Sequence, residues 1–404
     1  MINQAQQVLL DAIKASLFGT PFSYPEDTDW DAVINEAKSQ AVTGLISPVL
    51  PVHDESSDQV MAFYMRLLYE QDKLLKLLEK HHIPCVILKG CAAAVYYPKP
   101  YLRAMGDVDL LVPHAQFDDA VRVMEENGYL YWHGKDQNGK LTKGERHISY
   151  VRNGIEFELH HHFSSAGFDI DDILEKAFSR RIFKKINGYS IPVFPEIENG
   201  LVLLGHINQH LTKDHLGIRQ IIDWEMYFYS VMNSENWKQE FTPIAKEIGL
   251  FDLAVNVTKM CRKHLGLPDS IELRKHQNPA EDETTDRLLE NLLNYGNFGS
   301  KQPFASEKSG ESIRSVMGII KNKGLYSYFR DNGLQSWKLC EKYPILRPFA
   351  FLYGFFRFCI RGIAGIIKTG DLKEQLQYVR ETKKMDSDLG IRTKEAGKGK
   401  GAKK

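Results

Sequence analysis

Cysteine is scarce in this 404-residue chain. There are five, at Cys85, Cys91, Cys261, Cys340 and Cys359, an odd number at wide spacings with no CxxC pair. That excludes a disulfide framework and a CxxC-type zinc site, and it fits a reducing, cytoplasmic compartment. Net charge is lacking too. Lys+Arg and Asp+Glu both number 52, so no overall field argues for a stable nucleic-acid complex or for an anionic membrane surface. Long apolar runs are missing: the best candidate, 344–367, is interrupted by Arg347, Arg357 and Arg361, and no transmembrane segment is expected. The N-terminus has no basic segment leading into a long apolar one. It reads as an amphipathic helix with Leu9, Ala12, Ile13 and Leu17 on one side. No internal repeat is present. With 43% hydrophobic and 26% charged residues, the composition is that of an ordinary folded protein with material for a sizeable core. The length corresponds to about two or three domains.

Periodicity divides the chain into six stretches. Residues 1–82 read as helical. One helix begins at an Asp29 N-cap and carries Val33, Ile34 and Ala37, and a longer one over about 58–82 has a stripe of Met61, Leu68, Leu75 and Leu78. Residues 83–196 read as a mixed sheet with helices. PCVILKG is a short buried strand entering a Gly turn, GCAAAVYY a short helix, and RAMGDVDLLVP a second strand. HISYVR-NG-IEFELHHHF and RIFKKI-NG-YSIPVF are hairpins, each with Asn-Gly at its turn. Residues 197–267 return to helical period. Residues 268–312 are polar and read as a loop or insertion. Residues 313–390 read as a C-terminal helical region, and 391–404 as a disordered basic tail. The aromatic segment FAFLYGFFRFCIRGIAGII has a buried helix as its default reading, with a membrane-surface helix as the alternative.

The chemistry concentrates between 88 and 162. Side chains alternate along a strand, so Asp107 and Asp109 point one way while Val108 and Leu110 enter the core. Adjacent carboxylates repel each other unless they face solvent or hold a cation, and a hard ion such as Mg²⁺ takes oxygen ligands of this kind. On IEFELHHHF, Glu156, Glu158, His160 and His162 share a face opposite Ile155, Phe157, Leu159 and Phe163. One of these glutamates, Glu158 if the strand lies beside GDVDLLV, completes a three-carboxylate set. Gly90 ends a strand before a helix, where backbone N–H groups favour phosphate oxygens, and Lys89 and Arg103 add positive charge. An acidic metal site beside a phosphate cradle is the layout of phosphoryl or nucleotidyl transfer. The run His160-His161-His162 does not read as one metal site, because alternation turns His161 away from the other two. His160 reads as a substrate-contacting or supporting group. His206 and His210, at i and i+4, have metal-ligand spacing but read first as a cleft or core pair. Arg219 and Asp223, also i and i+4, read as a helix ion pair.

LKG, RAMGDVDLLV and the acidic strand followed by His together resemble the uncharacterised nucleotidyltransferase family, related to DNA polymerase β-like and kanamycin-type nucleotidyltransferases. DWDAVINEAKSQAVTGLI, His147 with ELHHHF, and HINQHL with GIRQIIDW resemble further segments of that family, over about 25–250. The resemblance implies an α+β fold with a small mixed-sheet nucleotidyltransferase core between N-terminal and C-terminal helical regions. It implies Asp107, Asp109 and Glu158 as metal ligands and catalytic residues for two Mg²⁺ ions, with Glu156 a surface neighbour. Lys89, Gly90 and Arg103 would contact the triphosphate, and Arg219 and Asp223 would face the cleft. It further implies transfer of a nucleoside monophosphate from an NTP such as ATP to an acceptor hydroxyl, with pyrophosphate released. The acceptor stays open among small molecules such as sugars and antibiotics, glycans, peptides, proteins and RNA. Two other readings stand beside this one: a catalytically weak nucleotide-binding, regulatory or toxin–antitoxin-like protein, and a small-molecule phosphotransferase using the same metal site. The superfamily commonly has Gly-Ser at the turn. Here Lys89 precedes Gly90 and Cys91 follows it, so the phosphate contact must differ.

Overall fold

The computed structural model describes residues 2–134, 146–163, 170–211, 216–274, 280–297, 300–301, 325–337, 339–357 and 388–389. They fall into two compact units, Met1–Gln302 with Asp388–Lys404, and Pro303–Ser387. The expected basic tail at 391–404, and the segment following residue 357 up to residue 387, lie outside the described residues.

The first unit opens with helices α1 (Gln4–Phe18), α2 (Trp30–Ser39), α3 (Thr43–Ile46) and α4 (Glu55–Lys80). Their caps follow from the sequence. Asn3 accepts the Gln6 N–H to start α1, and Asp29 accepts the Ala32 N–H at 3.0 Å to start α2. The buried face of α1 includes Leu9, Ala12, Ile13 and Leu17, as its periodicity predicts. On α4 the buried stripe is Tyr64, Leu67, Leu68, Leu74 and Leu78. Met61, expected to be part of it, lies instead with Met65 and Tyr69 at i+4 steps along an exposed face.

Strands β1 (Val86–Leu88), β2 (Val108–Leu111), β3 (Leu130–His133), β4 (His147–Arg152) and β5 (Ile155–His160) form one mixed sheet in the order β1-β2-β5-β4-β3. Only β2 and β5 run parallel. The β4–β5 turn places Asn153 at φ 50° and Gly154 at φ 73°, the left-handed pair that a two-residue hairpin with matching twist requires. A second hairpin, β6 (Ile182–Ile186) and β7 (Tyr189–Val193), turns in the same way on Asn187 and Gly188. One face of the main sheet is sealed. Ile87, Val108, Leu110, Ile148, Tyr150, Phe157 and Leu159 pack with Leu67, Leu68 and Leu74 of α4 and with Ala120, Val123 and Met124 of α6 (Phe117–Glu126). The other face is approached by α5 (Gly90–Ala94), α8 (Glu196–Leu211) and α9 (Ile218–Val231). On α8, Asn199 Nδ2 donates to Ala92 O and to Tyr96 Oη, tying this helix to the chain after β1. Gly200 makes room for Tyr227 of α9, whose ring occupies the place of a Cβ there.

Within 268–312, expected to be loop or insertion, Ala280–Tyr295 forms a helix against Phe251–Met260. Its composition is polar, yet Thr284, Thr285, Leu288, Leu289, Leu292 and Leu293 are buried on one side. The stripe outweighs the average. The second unit contains helices at Leu325–Ser336 and Leu339–Lys342, and a 3-10 turn Pro344–Phe349 that leads into helix 350–357. Gly333 against Ala350 and Gly354 against Phe329 let the backbones of two of these helices touch. Phe349, Leu352 and Phe356 are exposed in this unit, where the aromatic segment has a buried helix as its default reading. No helix among the described residues is long and apolar enough to cross a membrane.

Candidate active site

The open face of the sheet floors a cleft of about 250 Å³. Parallel pairing sets Asp109 of β2 directly across from Glu158 of β5, and antiparallel pairing sets His147 of β4 across from His160. Asp107 stands just before β2, two residues from Asp109, and lines the same cleft. Lys89 closes one end. It adopts φ 51°, ψ −145°, a positive φ that costs a non-glycine residue roughly 1–3 kcal/mol. The bend brings its Nζ to 2.6 Å from Asp109 Oδ1. His160 Nε2 lies 3.0 Å from Asp109 Oδ1 and 3.1 Å from Glu158 Oε2, so one N–H serves two carboxylates. His147 Nε2 is 3.4 Å from Glu158 Oε1.

The charges modify one another strongly. The Asp109 charge, then burial, pushes the Asp107 carboxyl above its ordinary range, with Lys89 opposing. Burial would also raise Glu158, but the hydrogen bond and charge of His160 and the charge of Lys89 prevail, and it is lowered to about 2. Burial would lower Lys89, yet Asp109, Asp107 and Glu158 hold its ammonium above the usual value. His160 is likewise raised, its two carboxylate partners outweighing burial. His147 goes the other way. Burial, with His160 and His133 beside it, lowers it to about 4 despite Glu158.

The opposite wall is supplied by α8 and α9. His206 and His210 both line the cleft, with their Nε2 atoms 2.6 Å apart. Burial and then His210 depress His206 well below the usual range, so the His206 imidazole is neutral. Arg219 also lines the cleft and donates from Nη1 to Ala104 O at 2.9 Å. The i, i+4 spacing predicts an ion pair of Arg219 with Asp223, but the Asp223 carboxylate is taken up by Arg103. Asp223 is held by Arg103, with Nε to Oδ1 at 2.7 Å and Nη2 to Oδ2 at 2.6 Å, and by the Tyr97 hydroxyl at 2.7 Å. A bidentate partner reached through the fold displaces a neighbour on the same helix. Asp223 thus sits behind Arg103 at the cleft wall, and both residues are buried. Together Arg103 and Arg219 fix the backbone segment that leads into Asp107.

Glu158 lines the cleft, whereas Glu156 lies outside it, 3.8 Å from His133 and more exposed. His162 does not share the face of Glu158, because β5 ends at His160 and the alternation ends with it. Gly90 lines the cleft, but the helix it opens has only five residues. Cys91, where the superfamily commonly has serine, turns into the core, and burial pushes its thiol up to about 12. The group facing the cleft at this turn is Lys89. Arg146, Phe163 and Gln209 line the mouth and were not singled out in the sequence. Arg146 and Gln209 both donate to Phe163 O, at 2.8 and 3.1 Å. The position of Gln209 three residues beyond His206 was the available signal. The oxygen-rich ligand atoms of Asp109 and Glu158 converge with His160 within 4.8 Å, a donor set that suits a divalent cation.

Residues 26–266 match the family described as uncharacterised nucleotidyltransferase, and the chain belongs to that family. It is therefore a nucleotidyltransferase, a transferase enzyme built on an α+β core. A search among curated proteins finds no match. Among solved structures, the solution structure of the antibiotic-resistance factor ANT(2'')-Ia overlaps 49% of this chain and 92% of its own, with 10% identity and a TM-score of 0.30. A nucleotidyltransferase-like antigenic protein from Paracoccidioides brasiliensis overlaps 50% and 94%, with 16% identity and a TM-score of 0.31.

Proposed function

We propose that the chain transfers a nucleoside monophosphate from an NTP to an acceptor hydroxyl and releases pyrophosphate, with Asp107, Asp109 and Glu158 holding Mg²⁺. The observation that carries this reading is the register of β2 and β5, which puts Asp109 beside Glu158 with Asp107 on the same cleft wall. The donor set fits the ion. Asp107 is raised by the charge of Asp109, a crowding that a cation relieves, and the Lys89 ammonium already rests on Asp109. Two divalent ions bound there would offset phosphate charge and make the acceptor hydroxyl easier to deprotonate.

The chain's own residues do the rest. Lys89, Arg146 and Arg219 place positive charge around the carboxylates, where a triphosphate must lie. The hydroxyl proton passes to a carboxylate of the set, and Asp107, raised by the Asp109 charge and by burial, is a better matched base than Glu158, which His160 and Lys89 hold at about 2. Gly90 leaves the turn open at the floor, and the neutral His206, with His210 beside it, is available to contact substrate. The four cysteines at 85, 91, 261 and 340 are buried free thiols, which supports a reducing compartment such as the cytoplasm.

The test is calorimetric titration of Mg²⁺ and each NTP into wild type and the Asp107→Asn/Asp109→Asn double variant, followed by incubation with labelled NTP and cell extract. Metal-dependent NTP binding lost in the variant, with labelled product and pyrophosphate from wild type, is expected. Equal binding by both proteins overturns the metal site, and release of a nucleoside diphosphate in place of pyrophosphate identifies a phosphotransferase.

A further inference from the structure

We propose that the chain carries a second metal site, outside the cleft, in which His114, His161 and His162 bind a borderline divalent cation of the Zn²⁺ class. The proposal does not depend on the reading of the cleft.

The three imidazoles come from two places in the sequence. His114 lies three residues after the end of β2, while His161 and His162 directly follow the end of β5. Because β2 and β5 are parallel neighbours, their C-terminal ends lie side by side. The ladder continues past β2, where the Val112 N–H donates to His160 O at 3.1 Å. Beyond His160 the chain leaves extended geometry. His161 and His162 then swing to the same neighbour, which strand alternation would have forbidden.

The geometry is that of a chelate. One potential ligand atom from each residue falls within 4.8 Å of the others. His161 Nδ1 and His114 Nδ1 are 3.3 Å apart. Zinc–nitrogen bonds of about 2.0–2.1 Å at tetrahedral angles give a nitrogen–nitrogen edge of about 3.3–3.4 Å. The rings of His114 and His162 stack with centroids 5.3 Å apart, and those of His161 and His162 are 4.4 Å apart. Asp171 stands behind His162, with Oδ2 3.9 Å from Nδ1, and its Oδ1 is fixed by the Phe163 N–H at 2.7 Å. A carboxylate commonly stands in that place beside a ligating imidazole, and the fourth position falls to water. Imidazole donors select zinc, copper or nickel over magnesium, so the site and the cleft would take different ions.

The consequence is mechanical. An ion here clips together the ends of the two strands that carry Asp109 and Glu158, and none of its three histidines lines the cleft. His114 and His162 are exposed, so their removal leaves the fold standing.

The experiment uses full-length protein stripped of metal. Zn²⁺ is titrated calorimetrically, Co²⁺ is added as a visible-absorption probe, and Tm is followed with and without Zn²⁺. Wild type should bind one equivalent of Zn²⁺ in the presence of excess Mg²⁺, show the d–d bands of nitrogen-ligated Co²⁺, and melt at a higher temperature with Zn²⁺. His114→Ala and His162→Ala should each weaken Zn²⁺ binding at least about tenfold and abolish the Tm rise. Asp107→Asn/Asp109→Asn and His147→Ala should retain both. Zn²⁺ binding that is absent in wild type, unchanged in His114→Ala, or lost in His147→Ala overturns the proposal. The last result would move the ion to the His133, His147 and Glu158 group beside the cleft.

Discussion

The two faces of the five-stranded sheet are made by the same strands, residue by alternate residue, and share almost nothing else. On β5, Phe157 and Leu159 are fully buried against α4 and α6, while Glu158 and His160 between and beyond them point into a cleft with three carboxylates. On β2, Leu110 is core and Asp109 its adjacent opposite. The apolar face fixes the register, since a one-residue slip would bury every charge and expose every core side chain. The charged face is thereby placed without contributing to folding on its own account. Folding energy and chemistry are thus separated by side of the sheet, and substitutions on the two faces should fail in different ways.

The largest effect is expected on the sealed face. Phe157→Ala removes a fully buried ring in edge contact with Tyr129 and should cost about 3–5 kcal/mol of stability in urea unfolding. A cost below about 1 kcal/mol would mean that this face does not hold the register. On the open face, Asp107→Asn should lower turnover by about 10²–10³-fold, some 2.7–4 kcal/mol of transition-state stabilisation, judged from the loss of comparable electrostatic groups. Its unfolding midpoint should hardly move, because the charge removed is one that Asp109 already repels. If Asp107→Asn unfolds the protein, the two faces are not separable.

A smaller effect tests what happens to an acid that the fold places in the sealed interior. Glu225 of α9 is fully buried, and burial drives its carboxyl well above the ordinary range, offset only in part by the backbone at Leu267 and by Lys14. Asp223, two residues away, has its Arg103 fork. A carboxyl raised in the folded state contributes fully below its unfolded value, about 4.3, and stability is then lost as pH rises toward the folded value. Glu225→Gln should therefore raise Tm relative to wild type at pH 7, and the gain should vanish near pH 4. A gain that is constant with pH would show that the carboxyl is ionised inside the protein.

Much of this was legible beforehand, for local reasons. The Asn-Gly turns demand left-handed backbone whatever surrounds them, so both hairpins could be read directly. Alternation along IEFELH and DVDLL announced a face with acids opposite a face without. Two of the failures are long-range. Nothing near Asp223 in sequence reveals that Arg103, 120 residues away, outcompetes Arg219 for it. His114 lies 47 residues from His161, and only the parallel β2–β5 pairing brings them together. The end of a strand also escapes periodicity: the alternation that holds for Glu158 and His160 misassigns His162, one residue beyond the last backbone bond of the ladder, from His161 N–H to Arg146 O. The helix at Ala280–Tyr295 was hidden differently, because its mean polarity is high and only the spacing of Leu288, Leu289, Leu292 and Leu293 marks a buried side.

The smallest expected effect falls on Glu156, and it separates position in a cleft from position on a face. Glu156 shares the open face of β5 with Glu158 and pairs across the ladder with Val151, yet it lies beyond the cleft wall beside His133. Burial, Glu158 and Asp107 raise its carboxyl, so it sits within the same electrostatic field. If sharing that field were enough to make a carboxylate functional, Glu156→Gln would resemble Glu158→Gln in turnover. If the parallel pairing with Asp109 is what matters, Glu156→Gln should leave turnover within about twofold and stability within about 0.5 kcal/mol of wild type, as for surface changes generally. Glu158→Gln should lose most of its activity. Turnover of the two variants measured side by side decides between field and register, because their sequence contexts differ by a single two-residue step along one strand.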